Sequence, residues 1–190
     1  MKKNLVTAFL MTIATTVLLG IIYPLVVTAV AQLLFKDKAN GQIRYRNGEA
    51  IGSRIIAQPF TSPKYFHPRP SNAGNGYDAA NSGGTNYAPT NQKLIDRMRV
   101  DAASLQQENP SQPVPVDLIT TSASGLDPEI SPAAADFQVP RIAHERRISE
   151  PALRALIQKH TTQRDLGLLG EPRVNVLELN LDLDQSTAKP

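Results

Sequence analysis

Hydrophobic and polar positions fall into two regimes along the chain. From Asn4 to Phe35 there is no charged residue and no histidine over 32 consecutive positions. Beyond Phe35, apolar residues come in short groups broken by prolines, glycines and charges. At 1.5 Å per residue the first run makes roughly 48 Å of helix against roughly 30 Å of hydrocarbon, enough to span a bilayer once, tilted or with its ends among headgroups, and too short to span twice. A transmembrane helix is therefore expected over residues 5–35. Pro24 lies inside it and is expected to bend it, which a bilayer tolerates when neighbouring groups satisfy the freed carbonyl. A cleaved secretory signal is the competing reading, because Lys2-Lys3 gives a positive start and Ala29-Val30-Ala31 a cleavage pattern, leaving a secreted binding protein that starts at Gln32. The apolar run is about twice the length of a signal core, which favours the anchor.

Orientation by flanking charge is close to a tie: Lys2 and Lys3 precede the span, and Lys36, Lys38, Arg44 and Arg46 follow it. Long domains cross largely regardless of such charges, and roughly 155 residues follow the span while three precede it. The expectation is a cytoplasmic N-terminus (1–4), an extracytoplasmic domain (36–184) and a frayed tail (185–190). Within the span, Ala8, Thr12, Thr16, Gly20, Pro24, Thr28 and Gln32 recur at every fourth position. Small or weakly polar residues at that spacing form a ridge that admits a partner helix, with Thr12, Thr16 and Gly20 as the candidate face. Such residues are also simply frequent in membrane helices.

The second regime reads as one α+β domain with a mixed or antiparallel sheet. Asn47-Gly48 between two short apolar alternations is a hairpin signal. Leu94, Met98, Asp101/Ala102 and Leu105 share one helical face, behind Thr90 or Asn91 as cap. "VPVDLITT" (114–121) reads as a strand. Ser131 and Pro132 open a helix that Pro140 must kink or end. A further short helix places Leu153, Leu156, Ile157 and His160 together. The last apolar stretch has Val174 and Val176 in one alternating phase and Leu177, Leu179, Leu181 and Leu183 in the other, read as a bulged strand with Asn180, Asp182 and Asp184 facing solvent.

Composition removes several function classes. Setting aside Lys2 and Lys3 leaves 18 basic residues against 17 acidic ones, so no nucleic-acid surface is indicated. There is no cysteine, hence no disulfide, thiol nucleophile or cysteine-based zinc site. His67, His144 and His160 are scattered without metal-ligand spacing, and no nucleophile motif is present. Neither a catalytic residue nor a metal site is therefore assigned. "PKYFHPRPSN" (63–72) is read as a rigid loop whose aromatics plug the core rather than as a binding ledge. Asp127 and Glu129 are read as serving a turn and the following helix dipole rather than a cation.

One stretch leaves two readings open. "NSGGTN" (81–86) resembles the Ser-Gly-Gly signature with which transport ATPases of another kind clasp ATP phosphates. Adjacent glycines let backbone N–H groups approach phosphate oxygens, with Ser82 and Thr85 as hydroxyl donors. The same residues make an ordinary surface turn, and Thr85-Asn86 stands where the transport signature has glutamine.

Taken together, "AQPFTSPKYFHPRPS" (57–71), "YDAANSGGTNYAPTN" (77–91), "PVPVDLITTSASGLDPEISPAAADFQVPRIAHER" (113–146) and "LGEPRVNVLELNLDLD" (169–184) resemble the C subunit of the Kdp potassium-transporting P-type ATPase of bacteria and archaea, over the whole chain. The resemblance implies a single-pass subunit of the cell membrane with no catalysis and no cofactor of its own. It implies three partners: a channel-like potassium-translocating subunit, an ATP-hydrolysing subunit with a phosphorylated aspartate, and a very small single-helix subunit. ATP and potassium then act on the complex. The family is described as a catalytic chaperone that raises the ATP affinity of the hydrolytic subunit, with nucleotide contact falling here on Ser82, Gly83, Gly84, Thr85 and Asn86. That role places the domain in the cytoplasm as a nucleotide-dependent regulator, against the orientation argued above.

Overall fold

The computed structural model describes residues 1–187. It divides into two compact units, Met1–Ile43 and the chain from Arg44 onward.

In the first unit a continuous helix over Lys2–Leu34 is long and apolar enough to cross a membrane. It comprises α1 (Lys2–Thr15), a π-helical segment (Thr16–Ile22) and α2 (Tyr23–Leu34). The π segment is how the helix accommodates Pro24. Proline offers no N–H to the carbonyl of Gly20 and its ring crowds that oxygen. Upstream, the hydrogen bonds lengthen by one residue, the Tyr23 N–H reaching the carbonyl of Leu18. The unit ends in a single turn, α3 (Lys36–Ala39), where the side-chain amides of Gln32 and Asn40 pair at 3.2 Å.

The second unit starts one residue into the hairpin the sequence predicts: β1 (Ile43–Arg46) and β2 (Glu49–Ser53), joined by Asn47 and Gly48 at φ 53° and 85°, the left-handed pair a type I′ turn requires. A 35-residue strap, residues 57–91, then runs without strand or helix to α4 (Gln92–Glu108). Of the two candidate caps it is Asn91 that acts, accepting the Lys93 N–H at 2.9 Å.

"VPVDLITT" is not a strand. Pro115 leads into a single 3-10 turn, Val116–Leu118, and the Asp117 carboxylate accepts the Ser131 N–H at 2.7 Å, tying this loop to the next helix instead of to a sheet. The sheet proper is antiparallel and small, in the order β3 (Glu129–Ile130), β5 (Arg173–Asn175), β4 (Thr161–Thr162). Ile130 and Thr161 both pair with Val174. Ser131 caps α5 (Pro132–Phe137) by accepting the Ala134 N–H at 3.0 Å. Pro140 ends that helix as expected and sits in the first turn of a new one, α6 (Val139–Arg146). α7 (Glu150–His160) follows, burying Leu153 and Ile157.

The last apolar stretch corrects the sequence reading most. Only Arg173–Asn175 is strand; from Val176 to Thr187 the chain is helical, α8. Val176, Leu179, Asn180 and Leu183, at the spacing of one helical face, are all buried. Asn180, expected to face solvent, is 1 % exposed. α7 packs against α5, α6 and α8, and Phe66 from the strap enters the core they enclose. α8 continues through Gln185, Ser186 and Thr187, and the remainder of the tail expected to fray lies outside the described residues.

Candidate functional site

The strap carries the residues singled out in the sequence, so how it is held decides what they can do. It has no ladder of its own, and its backbone groups must find side-chain partners. Phe66 is fully buried, which bears out the core-plugging reading of residues 63–72 for that aromatic, while Tyr65 stays half-buried outside the core. Its N–H donates to Asn180 Oδ1 and its carbonyl accepts from Asn180 Nδ2, both at 2.9 Å. The next residue is held in the same way by a second buried amide: the His67 N–H donates to Gln138 Oε1 at 2.8 Å and its carbonyl accepts from Gln138 Nε2 at 3.2 Å. Arg141 donates to the carbonyls of Pro63 and Tyr65, and Arg146 donates to that of Lys64 at 2.7 Å while its guanidinium lies 4.6 Å from the centre of the Tyr65 ring. Asp184 at the end of α8 accepts from Arg146 at 2.8 Å and from the Tyr65 hydroxyl at 3.2 Å. Of these residues, Asn180 and Gln138 carry no signal of their own in the sequence.

Beyond Phe66 the strap encloses a cleft of about 420 Å³ lined by Phe60, His67, Tyr77, Leu105, Leu118 and Gln138. Burial, reinforced by the Arg141 charge, lowers the His67 pKa below its ordinary 6.5, so the ring is kept neutral beside the Ser62 carbonyl at 3.0 Å. Burial pushes the Tyr77 phenol up to about 12, leaving it a donor to the Arg69 carbonyl at 2.8 Å. Both groups are fixed in one protonation state near neutrality, which suits packing rather than proton transfer.

The Ser82–Asn86 stretch follows a turn organised by Asp78, whose carboxylate accepts from the Ala80 N–H at 2.9 Å and from the Asn81 amide at 2.6 Å. These bonds hold its pKa below the ordinary value, the Asn81 contribution being the larger. Residues 82–84 run beside the loop 122–125. The Gly83 N–H donates to the Ser124 carbonyl at 2.8 Å and Ser82 Oγ to the same oxygen at 2.9 Å. Neither glycine has positive φ. What requires Gly84 is proximity: an added Cβ would stand 2.9 Å from the Ala123 carbonyl oxygen, whereas at Gly83 it would meet open space. The expected phosphate donors are thus partly engaged within the protein. Arg69, one of the two nearest cations in sequence, is held by Asp127 at 3.0 Å and by Thr120 and Thr121. Asp127 also accepts the Glu129 N–H at 3.0 Å, the turn-stabilising role read from the sequence.

In the N-terminal apolar helix Thr12, Thr16 and Gly20 are exposed, and the Thr12 hydroxyl is satisfied by the Ala8 carbonyl at 2.9 Å. A four-residue step overshoots one α-helical turn by about 40°. In an i to i+5 turn the same step falls short of a full turn, so the drift between Thr16 and Gly20 reverses sign. The π segment therefore brings Gly20 back toward the line of Ala8, Thr12 and Thr16.

Comparison with known proteins gives one consistent result. Residues 5–185 match the family model described as KdpC, the c chain of the K+-transporting ATPase. Proteins named potassium-transporting ATPase KdpC subunit are similar throughout. That of Koribacter versatilis (strain Ellin345) is 66 % identical over 190 residues, covering 100 % of this chain and 98 % of the relative. That of Acidobacterium capsulatum is 55 % identical over 183 residues, covering 96 % and 98 %. That of Rhodopseudomonas palustris (strain BisB18) is 52 % identical over 196 residues, covering 97 % and 98 %.

Proposed function

Because the chain belongs to the KdpC family of K+-transporting ATPase c chains, we propose that it is the non-catalytic accessory subunit of an ATP-driven potassium uptake complex in the cell membrane. Its single span docks on the channel-like potassium-translocating subunit through Thr12, Thr16 and Gly20, and its domain lies outside the membrane, where it stabilises the assembly and caps the potassium entrance. The ATP-hydrolysing subunit and the small single-helix subunit complete the complex, to which ATP and potassium belong. The observation that carries this reading is the match over residues 5–185, which takes in the span and the domain together.

A structural rather than nucleotide-handling role is supported by the Ser82–Asn86 stretch, where the Gly83 N–H and the Ser82 hydroxyl already bond Ser124. A phosphate cradle ordinarily adds a helix N-terminus and a nearby cation to such donors, and α4 begins only at Gln92. The test is a reporter fused after Pro190. Activity outside the membrane, with the full-length chain in the membrane fraction beside the other subunits, is the expected result. Cytoplasmic activity would restore the nucleotide-regulator reading, and a soluble product starting at Gln32 would make the chain a secreted binding protein.

A further inference from the structure

The segment between β4 and β5 is a compact hairpin that presents three leucines to solvent. Leu166 is 91 % exposed, Leu168 82 % and Leu169 61 %. The exposure is imposed by an ordered backbone. Asp165 and Leu169 exchange both N–H to carbonyl bonds, at 2.8 and 2.9 Å, and the N–H groups of Gly167 and Leu168 close the turn on Arg164 and Asp165 at 3.1 and 3.2 Å. Leu166 itself is held at φ 55°, a conformation a leucine adopts only under constraint. Contiguous apolar surface kept rigidly in water, and at a conformational cost, marks an interaction site.

The base of the hairpin is ringed by charge. Arg164 pairs with Glu171 at 2.5 Å, and Arg173 bridges Glu129 at 3.2 Å and Asp165 at 3.5 Å. Arg54 also acts on Glu129, so three cations face three carboxylates. The geometry points to the Leu166–Leu169 tip as a preformed knob that inserts into an apolar pocket on the extramembrane surface of a partner subunit, the ring of ion pairs forming the polar rim of the contact. This inference rests on the subunit reading above. A lipid surface is the other apolar acceptor, and the composition of the hairpin argues against it: the tip carries neither the aromatic residue nor the lysine that settles a loop at a membrane interface.

The chain has no cysteine, so a single one placed at the knob can be followed in the intact assembly. With Leu168→Cys in the full-length chain, a polar maleimide is expected to label this subunit at least tenfold more slowly in the assembled complex than in the free chain in the same detergent, and a bimane probe there to be unaffected by nitroxide lipids in nanodiscs. Equal labelling in complex and free chain overturns the knob, and so does quenching by nitroxide lipid, which would assign the tip to the bilayer. As an independent arm, Leu166→Asp with Leu168→Asp should leave the thermal midpoint of the chain unchanged while lowering recovery of the partner subunits about tenfold; unchanged recovery overturns the proposal. If the unaltered chain recovers no partner subunit, the subunit reading falls and the knob with it. If it recovers them and Leu168→Cys stays reactive, the knob falls alone.

Discussion

The side-chain amide of Asn180 pairs with both backbone groups of Phe66 at 2.9 Å, as a neighbouring strand would. Phe66 and Asn180 are essentially inaccessible to solvent, so neither water nor another ladder can replace these bonds. The amide supplies one donor and one acceptor in a fixed plane, which lets an irregular strap place a phenylalanine inside a helical core without leaving its peptide groups unsatisfied.

Asn180→Leu keeps the volume and removes the pairing, leaving a buried N–H and a buried carbonyl without partners. The expected cost is about 3 kcal/mol, read as a lowered midpoint in urea unfolding of the purified chain in detergent. Loss below about 0.5 kcal/mol would mean that the strap finds other partners.

His67 makes the stability depend on pH in a defined direction. Its folded pKa lies below the ordinary 6.5, chiefly through burial and then through Arg141, so below that pH the unfolded chain binds the proton more readily than the folded one. Stability should fall as pH drops through about 6.5 and approach a plateau above it. His67→Gln, which retains an amide donor for the Ser62 carbonyl, is expected to flatten the dependence of the thermal midpoint between about pH 7 and pH 5. An identical slope in the variant would assign the dependence elsewhere.

At the Ser-Gly-Gly stretch the two glycines should separate. Gly84→Ala drives a methyl toward the Ala123 carbonyl and is expected to cost about 1–3 kcal/mol, whereas Gly83→Ala, with open space around its Cβ, stays within about 0.5 kcal/mol. Ser82→Ala and Thr85→Val should leave the ATP half-saturation of the assembled pump unchanged. A tenfold rise with the fold intact, equivalent to about 1.4 kcal/mol, would show that the stretch does couple to nucleotide.

In the N-terminal apolar helix, Gly20→Leu should hold a partner helix away and lower the yield of intact complex, while Leu19→Ile should not. Equal yields would make the four-residue stripe incidental.

Where one local rule determined an element, the sequence alone was enough to find it. Asn47-Gly48 marked the hairpin, Ser131-Pro132 opened α5, and Pro140 divided it from α6. The failure at α8 has a physical cause. Leu177, Leu179, Leu181 and Leu183 alternate as a half-buried strand would, yet the buried set is Val176, Leu177, Leu179, Asn180 and Leu183, which breaks the alternation at Val176, Asn180 and Leu181. The signal that separates the two is Asn175 followed three residues later by Glu178: the Asn175 side chain accepts the Glu178 N–H at 3.1 Å, half of a capping box. From 177 to 184 the apolar positions are all leucine and none is β-branched, which also favours helix over strand. The pairing of Asn180 with Phe66 was not legible, since the two residues are 114 positions apart and neither implies the other. The leucine hairpin was missed because apolar residues between glycines read equally well as core, and only the fold shows them exposed among the described residues.

The same long pairing has a consequence for kinetics. Arg44 joins Glu178 across 134 residues, Tyr65 joins Asp184 across 119, and Phe66 joins Asn180 across 114. The strap and the first hairpin gain these partners only when α8 docks, so the domain acquires its native state by closing very long loops rather than by growing local helices, and should fold slowly for its size. α4, which buries none of its residues fully, is the element able to form early without committing the rest of the chain.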